Sequence, residues 1–281
     1  MKGPALSSLR ASRYSSRQWS EVTETVAEET PVALVYNGHS HAVMMASPQD
    51  LDDFALGFSL SEGIVDEVGE IEIVDRLHTS RGISLQMLIP QASFEAVVER
   101  QRSLSGRTGC GLCGSSSLEA AIRPIRRIDA SPRVSAVGLL DAFAAMEMAQ
   151  PMNRLSGAVH AASMLTLQDE LLIREDVGRH NAVDKVIGAA AQQALQAAAL
   201  LVTSRASYEI VHKAAQARCP IVAAISAPTA MAVRLAEEAG ITLVGFARNR
   251  RLTVYCGDLP AEPAAPFSRP AAVPASMHRR A

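Results

Sequence analysis

Leu200-Leu-Val-Thr203, Ile221-Val-Ala-Ala-Ile225 and Ile241-Thr-Leu-Val-Gly-Phe246 are three short, almost wholly apolar runs separated by segments long enough for a helix. Their spacing predicts three buried strands, with helices near 208–217 and over 229–239 between them. Strand and helix alternating in this way predict a layered α/β sheet. Working upstream, the pattern continues with a helix from Asn181, a hairpin through residues 165–173 and a helix around 141–148. This block runs from about 134 to 257. Beyond it the chain is mostly Pro, Ala and isolated charges, too poor in apolar area to offset the entropy of ordering, so 258–281 is expected to be a disordered tail.

The first half reads differently. Val32-Ala-Leu-Val-Tyr36, Asn37-Gly38 and His41-Ala-Val-Met-Met45 form a hairpin pattern, because Asn-Gly supplies the positive φ angles of a type I′ turn. Ser47-Pro48-x-Asp50 resembles a capping box, after which Leu51, Phe54, Ala55 and Phe58 share a helical face that stops at Gly63. Strands follow over 71–74 and 84–89, then a helix over 94–102. The organisation is therefore a flexible N-terminus (1–20), a smaller β-rich unit (21–133), the α/β unit (134–257) and the tail.

With 281 residues, 48% hydrophobic and only 20% charged, the chain can bury a sizeable core. Its formal charge of −2 marks it as neither a nucleic-acid binder nor a membrane-surface binder, so an anion site must come from local arginines. No apolar stretch at the N-terminus suits a signal peptide, and residues 186–202 are interrupted by Gln192, Gln193 and Gln196, which disfavours a membrane span. Four cysteines in so long a chain do not make a disulfide scaffold. A reducing, cytoplasmic location is expected.

Cys110-Gly-Leu-Cys113 is the sharpest chemical feature. It lies in Ser103-Leu-Ser-Gly-Arg-Thr-Gly-Cys-Gly-Leu-Cys-Gly-Ser-Ser-Ser117, too rich in Gly and Ser for a regular element. Arg107 and a helix expected to start at Ser116 both favour thiolate, the species that attacks in sulfur exchange. Half of a zinc site is the bland reading, but no second pair completes a closed one, so metal is not expected to be needed. A thioredoxin-like dithiol would follow an early strand, which this pair does not.

A second cluster is Arg174-Glu-Asp-Val-Gly-Arg-His-Asn-Ala-Val-Asp-Lys185, running off a strand into a helix. Arg179 and His180 would stand at the helix N-terminus, where free N–H groups favour a phosphate or carboxylate. Asp176 is read as functional with them, while Asp184 and Lys185 could equally be a solvated helix edge. Ser204 and Ser226, with Thr229, leave strand ends where α/β folds bind ligands, although each could be an ordinary N-cap. Phe246-Ala247-Arg248-Asn249-Arg250-Arg251 then combines three guanidiniums with an aromatic ring, suited to phosphate pairing and base or pterin stacking, or else a solvated basic hairpin.

Taken in order, Thr108-Gly-Cys-Gly-Leu-Cys-Gly114, Gly157-Ala-Val-His160, Glu175-Asp-Val-Gly-Arg-His-Asn-Ala-Val-Asp-Lys185, Ser226-Ala-Pro-Thr-Ala230 and Gly245-Phe-Ala-Arg248 resemble the formate dehydrogenase accessory sulfurtransferase family, FdhD, over about residues 30–255. The resemblance implies that sulfur arrives from a cysteine desulfurase as a persulfide on Cys110, with Cys113 assisting. It passes to the bis-molybdopterin guanine dinucleotide cofactor, a bound substrate rather than a resident group, for the formate dehydrogenase catalytic subunit. Contacts to that cofactor, or to GDP-like nucleotides, fall on residues 246–251. The resemblance further implies a homodimer and a cytidine-deaminase-like three-layer α/β/α fold in the C-terminal domain. That fold relation raises a zinc deaminase as a rival, but His160-Ala-Ala162 lacks the general-acid/base Glu and Cys219 stands alone before its proline. A non-catalytic nucleotide-binding chaperone would keep the arginines and need no reactive thiol.

Overall fold

The computed structural model describes residues 5–105, 125–261 and 272–273. Its larger sheet has seven strands in the order β12-β11-β10-β9-β7-β8-β13. In chain order these are β7 (His160–Thr166), β8 (Leu171–Asp176), β9 (Ala197–Val202), β10 (Ile221–Ala224), β11 (Thr242–Arg248), β12 (Arg251–Cys256) and β13 (Ala272–Val273). The three runs that suggested the fold are β9, β10 and β11, side by side and parallel, with Val222 level with Leu200 and with Leu243. On one face lie α5 (Arg179–Gln192), α6 (Tyr208–Gln216) and α7 (Ala230–Ala239); on the other lies α3 (Ala136–Met148), followed by the short α4 (Pro151–Ser156). The fold is therefore α/β, with the three layers that the resemblance implies. Alanines fill much of the helical side, including Ala182, Ala189, Ala214, Ala224, Ala232 and Ala236, so the helix backbones pack close to the sheet.

The N-terminal unit is a four-stranded sheet, ordered β4-β3-β6-β5, of β3 (Thr30–Tyr36), β4 (His39–Ala46), β5 (Glu72–Thr79) and β6 (Gly82–Leu88). Asn37 and Gly38, at φ 48° and 81°, make the expected turn between β3 and β4. One face buries Val32, Leu34, Tyr36, Leu85 and Met87 against Phe54 and Phe58 of α1 (Leu51–Ser61) and Val97 of α2 (Gln91–Ser105). Glycine allows the two units to meet. A Cβ on Gly57 of α1 would stand 1.7 Å from the Asp184 carbonyl oxygen, and one on Gly188 of α5 would stand 1.9 Å from that of Asp53. The α1 and α5 backbones therefore cross in direct contact.

Four local expectations change. Where a flexible N-terminus was expected, β1 (Leu6–Ser15) and β2 (Gln18–Ala27) form an antiparallel ribbon. In the expected tail, Ala272 and Val273 pair with β8. No capping box forms at Ser47; α1 begins after Asp50, which is left-handed and makes no side-chain cap, because Ser47 is bonded elsewhere. The fourth change is at α5, which starts at Arg179 after Gly178, two residues earlier than its apolar spacing suggests.

Candidate functional site

β9, β10 and β11 end along the same edge of the sheet at which β7 begins and β8 ends, as their pairings require. There the loops over 203–207, 225–229 and 246–250 lie side by side. Thr229 N–H donates to the Ala206 carbonyl (3.0 Å), Phe246 N–H donates to that of Ser226 (3.2 Å), and Ala206 bridges Pro228. Gly245 makes this contact possible, since a Cβ there would meet the Pro228 ring and the Tyr255 ring, each at 2.9 Å. The following Phe246 is left-handed (φ 51°) at a bulge in the β11–β12 pairing, a conformation that costs about 1–2 kcal/mol in a non-glycine residue. The edge therefore holds its aromatic residue in a strained position.

The predicted residues divide along this edge. Ser204 is buried and donates to the Arg205 carbonyl, whereas Ser226 is exposed. Thr229 caps α7, accepting from Ala232 N–H. Phe246 is half-buried and Ala247 buried, while Arg248, Asn249, Arg250 and Arg251 form an exposed hairpin tip, with β11 running on to Arg248. Asn249 and Arg250, both at positive φ, are its turn. Arg179 and His180 open α5, and His180 Nε2 lies 2.7 Å from Glu209 Oε2 in the first turn of α6. That pairing holds the Glu209 carboxyl below its ordinary range. His160, at the start of β7, is pushed down by burial and then by the nearby Arg179 and His180. Glu209 escaped the sequence reading; its one signal was an acid in a helix first turn, where the dipole welcomes it. Cys110 and Cys113 lie outside the described residues.

The rest of the Arg174-to-Lys185 motif turns away from this edge into the seam between the units. Lys185 Nζ sits 2.6 Å from Asp176 Oδ2, both fully buried, and donates to the Ser47 carbonyl at 3.0 Å. Asp176 also accepts from the N–H groups of Ser47 and Gly178 and from Asn181 Nδ2. Lys213 donates to Asp184 and Ser61 at 2.8 and 2.9 Å and pairs with Glu62. Burial pushes the Asp184 carboxyl up while Lys213 and Ser61 pull it back. Arg174 donates to Asp53 at 2.7 Å, and Glu175 accepts from Met152 and Asn153 N–H at the start of α4. Asp184 and Lys185 are thus not a solvated helix edge, and Asp176 is a clamp that seats the start of α5 on β4. Among the described residues, no three His, Cys, Asp or Glu side chains gather as metal ligands do.

Known proteins resemble this chain in sequence and in fold. The FdhD/NarQ family model matches residues 27–259. The chain belongs to that family. It is 49% identical over 246 residues to the sulfur carrier protein FdhD of Xanthomonas euvesicatoria pv. vesicatoria, covering 86% of this chain and 88% of that one. It is 50% identical over 261 residues to the sulfur carrier protein FdhD of Cupriavidus necator, covering 90% and 88%. A putative formate dehydrogenase accessory protein from Desulfotalea psychrophila shares the fold, with a TM-score of 0.67 at 24% identity over 90% of this chain and 98% of its own. Among the described residues of this family member, no helix is long and apolar enough to cross a membrane.

Proposed function

We propose that this chain is a sulfurtransferase that carries sulfur as a persulfide on Cys110. The Cys110 thiolate attacks the outer sulfur of a cysteine desulfurase persulfide; a new S–S bond forms on Cys110 and the desulfurase thiolate leaves. The sulfur is then delivered to the bis-molybdopterin guanine dinucleotide cofactor, bound as substrate, to make formate dehydrogenase active in the cytoplasm. The match to relatives named sulfur carriers over nearly the whole chain is the observation that carries this reading. Residues 246–251, with Arg179, His180, Ser204, Ser226 and Thr229, would hold the cofactor. Their common edge offers what a dinucleotide needs: exposed guanidiniums for phosphate, a half-buried ring for stacking and two helix starts. A homodimer is part of the same proposal.

The test is incubation with a desulfurase and cysteine, followed by intact-mass and peptide mapping. A labile extra sulfur is expected on Cys110 and absent from Cys110→Ser. Cys219 is a built-in control, because burial pushes its thiol up to about 12 and leaves almost no thiolate at neutral pH. Sulfur found only on Cys219 or Cys256 would return the chain to the non-catalytic chaperone reading.

A further inference from the structure

The β1–β2 ribbon precedes almost all of the family match and is exposed throughout residues 8–21. At ten residues per strand it reaches about 33 Å. Near its tip Tyr14 and Trp19 sit opposite one another, ring centroids 5.1 Å apart and side chains 58% and 72% exposed. Residues 8–20 include Arg10, Arg13 and Arg17 and no acid, although Arg13 pairs with Glu24 lower on the ribbon. A two-stranded ribbon is at best marginally stable alone in water, and exposed rings of this size mark a contact surface.

A complementary surface lies on the same chain. β5 is an edge strand, pairing only with β6 among the described residues. Residues 66–75, leading into and along it, carry Asp66, Glu67, Glu70, Glu72 and Asp75 and no base. Arg76 follows but is tied to Asp52. Val74 and Leu77 stand out from this edge, 47% and 46% exposed. Such an edge leaves a row of backbone N–H and C=O groups without a strand partner among the described residues, and its acids favour a basic strand over others.

We propose that the ribbon of one copy docks along the acidic β5 edge of a second copy, and that the exchange is reciprocal. Among the described residues the ribbon's strands pair only with each other; its β2 strand rests on α4 of the same chain, but residues 8–21 stay exposed, and Arg10 and Arg17 among them remain available to a partner. A twofold arrangement uses both contacts and closes without leaving a free arm. Scaled by their exposure, the two rings of each ribbon can bury about 200–325 Å² more, or roughly 400–650 Å² for two ribbons before the partner surface they cover is counted. Leu9, Val74, Leu77 and the added strand contacts bring the total into the range of about 1,200–2,000 Å² typical of stable interfaces. The inference shares with the proposed function only the expectation of two copies and does not depend on sulfur transfer.

Charge reversal tests it on the full-length chain by sedimentation equilibrium. The first variant carries Arg10→Glu, Arg13→Glu and Arg17→Glu; the second carries Glu67→Lys, Glu72→Lys and Asp75→Lys. All six positions touch solvent, so circular dichroism should show both variants folded. The wild-type chain is expected to dimerise, and each variant alone to lose affinity by more than about tenfold because like charges then face each other. Mixing the two should restore a dimer, since each arm then meets an edge of opposite sign. A wild-type monomer at about 100 µM overturns the proposal, for it implies a dissociation constant too weak for a working dimer. Variants that dimerise alone as well as the wild type also overturn it, while leaving a dimer through another surface.

Discussion

Replacing Gly188 with alanine sets two physical effects against each other. Gly188 is in the middle of α5, where helix propensity alone makes alanine better by about 1 kcal/mol. Packing says the reverse. The new Cβ would stand 1.9 Å from the Asp53 carbonyl oxygen and 2.8 Å from Gly57 N, both backbone atoms of α1 that cannot rotate away. Since carbon–oxygen contacts closer than about 3.0 Å do not persist, α1 and α5 must part by roughly an ångström. That movement loosens close packing and stretches the Lys185 and Asp176 bonds to Ser47. Overpacking in such a place costs about 3 kcal/mol, leaving a net loss of about 2 kcal/mol after the helix gain. The melting temperature should fall by roughly 4–8 °C, and the urea midpoint should fall with an unchanged slope. Gly69→Ala is the control, because nothing lies within 4 Å of a Cβ there. A Gly188→Ala chain as stable as the wild type, or more so, would refute the direct helix crossing.

Asp176→Asn should destabilise by about 3–5 kcal/mol in urea titrations, because it leaves Lys185 charged and fully buried, and adding Lys185→Met should recover part of that loss. Loss below about 1 kcal/mol, or no recovery, would mean that the pair does not hold the seam. His160 should titrate below its ordinary 6.5 by proton NMR, because burial and the Arg179 and His180 charges disfavour its proton while Asp176 opposes them only in part. The unfolded chain then binds that proton more readily than the folded one, so acidifying from pH 7 through 6.5 toward the folded value removes stability, and His160→Gln should flatten the slope. A His160 resonance that titrates at or above 6.5 would contradict the site's electrostatics.

The α/β fold was legible because β9, β10 and β11 are buried on both faces and thus apolar at nearly every position, a pattern surface strands do not share. The Asn37-Gly38 turn was legible for a different reason, since few residue pairs accept two positive φ angles. The ribbon was missed because its residues make almost no core. Leu6–Ser15 and Gln18–Ala27 have neither an apolar face nor a glycine turn; Ser16 and Arg17 adopt the positive φ angles instead. The start of α5 was misplaced because Arg179 and His180 carry no apolar period, while the residue that fixes the turn, Asp176, acts through a side chain bonded to Ser47 far away in sequence.

That last bond explains why charge was the least readable property of the motif. Local sequence could place Arg174, Glu175, Asp176, Asp184 and Lys185 at a strand end and helix start, but their roles depend on partners from elsewhere: Asp53 and Ser61 from α1, Ser47 just before it, the start of α4, and Lys213 of α6. Burying these charges costs several kcal/mol per ion unless each is paired, so one correct docking of the two units satisfies them and a slipped docking leaves some bare. The glycine pair supplies close approach and the charges supply register. Of the motif's charged residues, Arg179 and His180 remain at the sheet edge, where His180 meets Glu209 in the first turn of α6. The motif that looked like one functional cluster is therefore divided by the strand-to-helix turn: its seam residues fix where α5 begins, and its edge residues open that helix against Glu209 at the sheet edge.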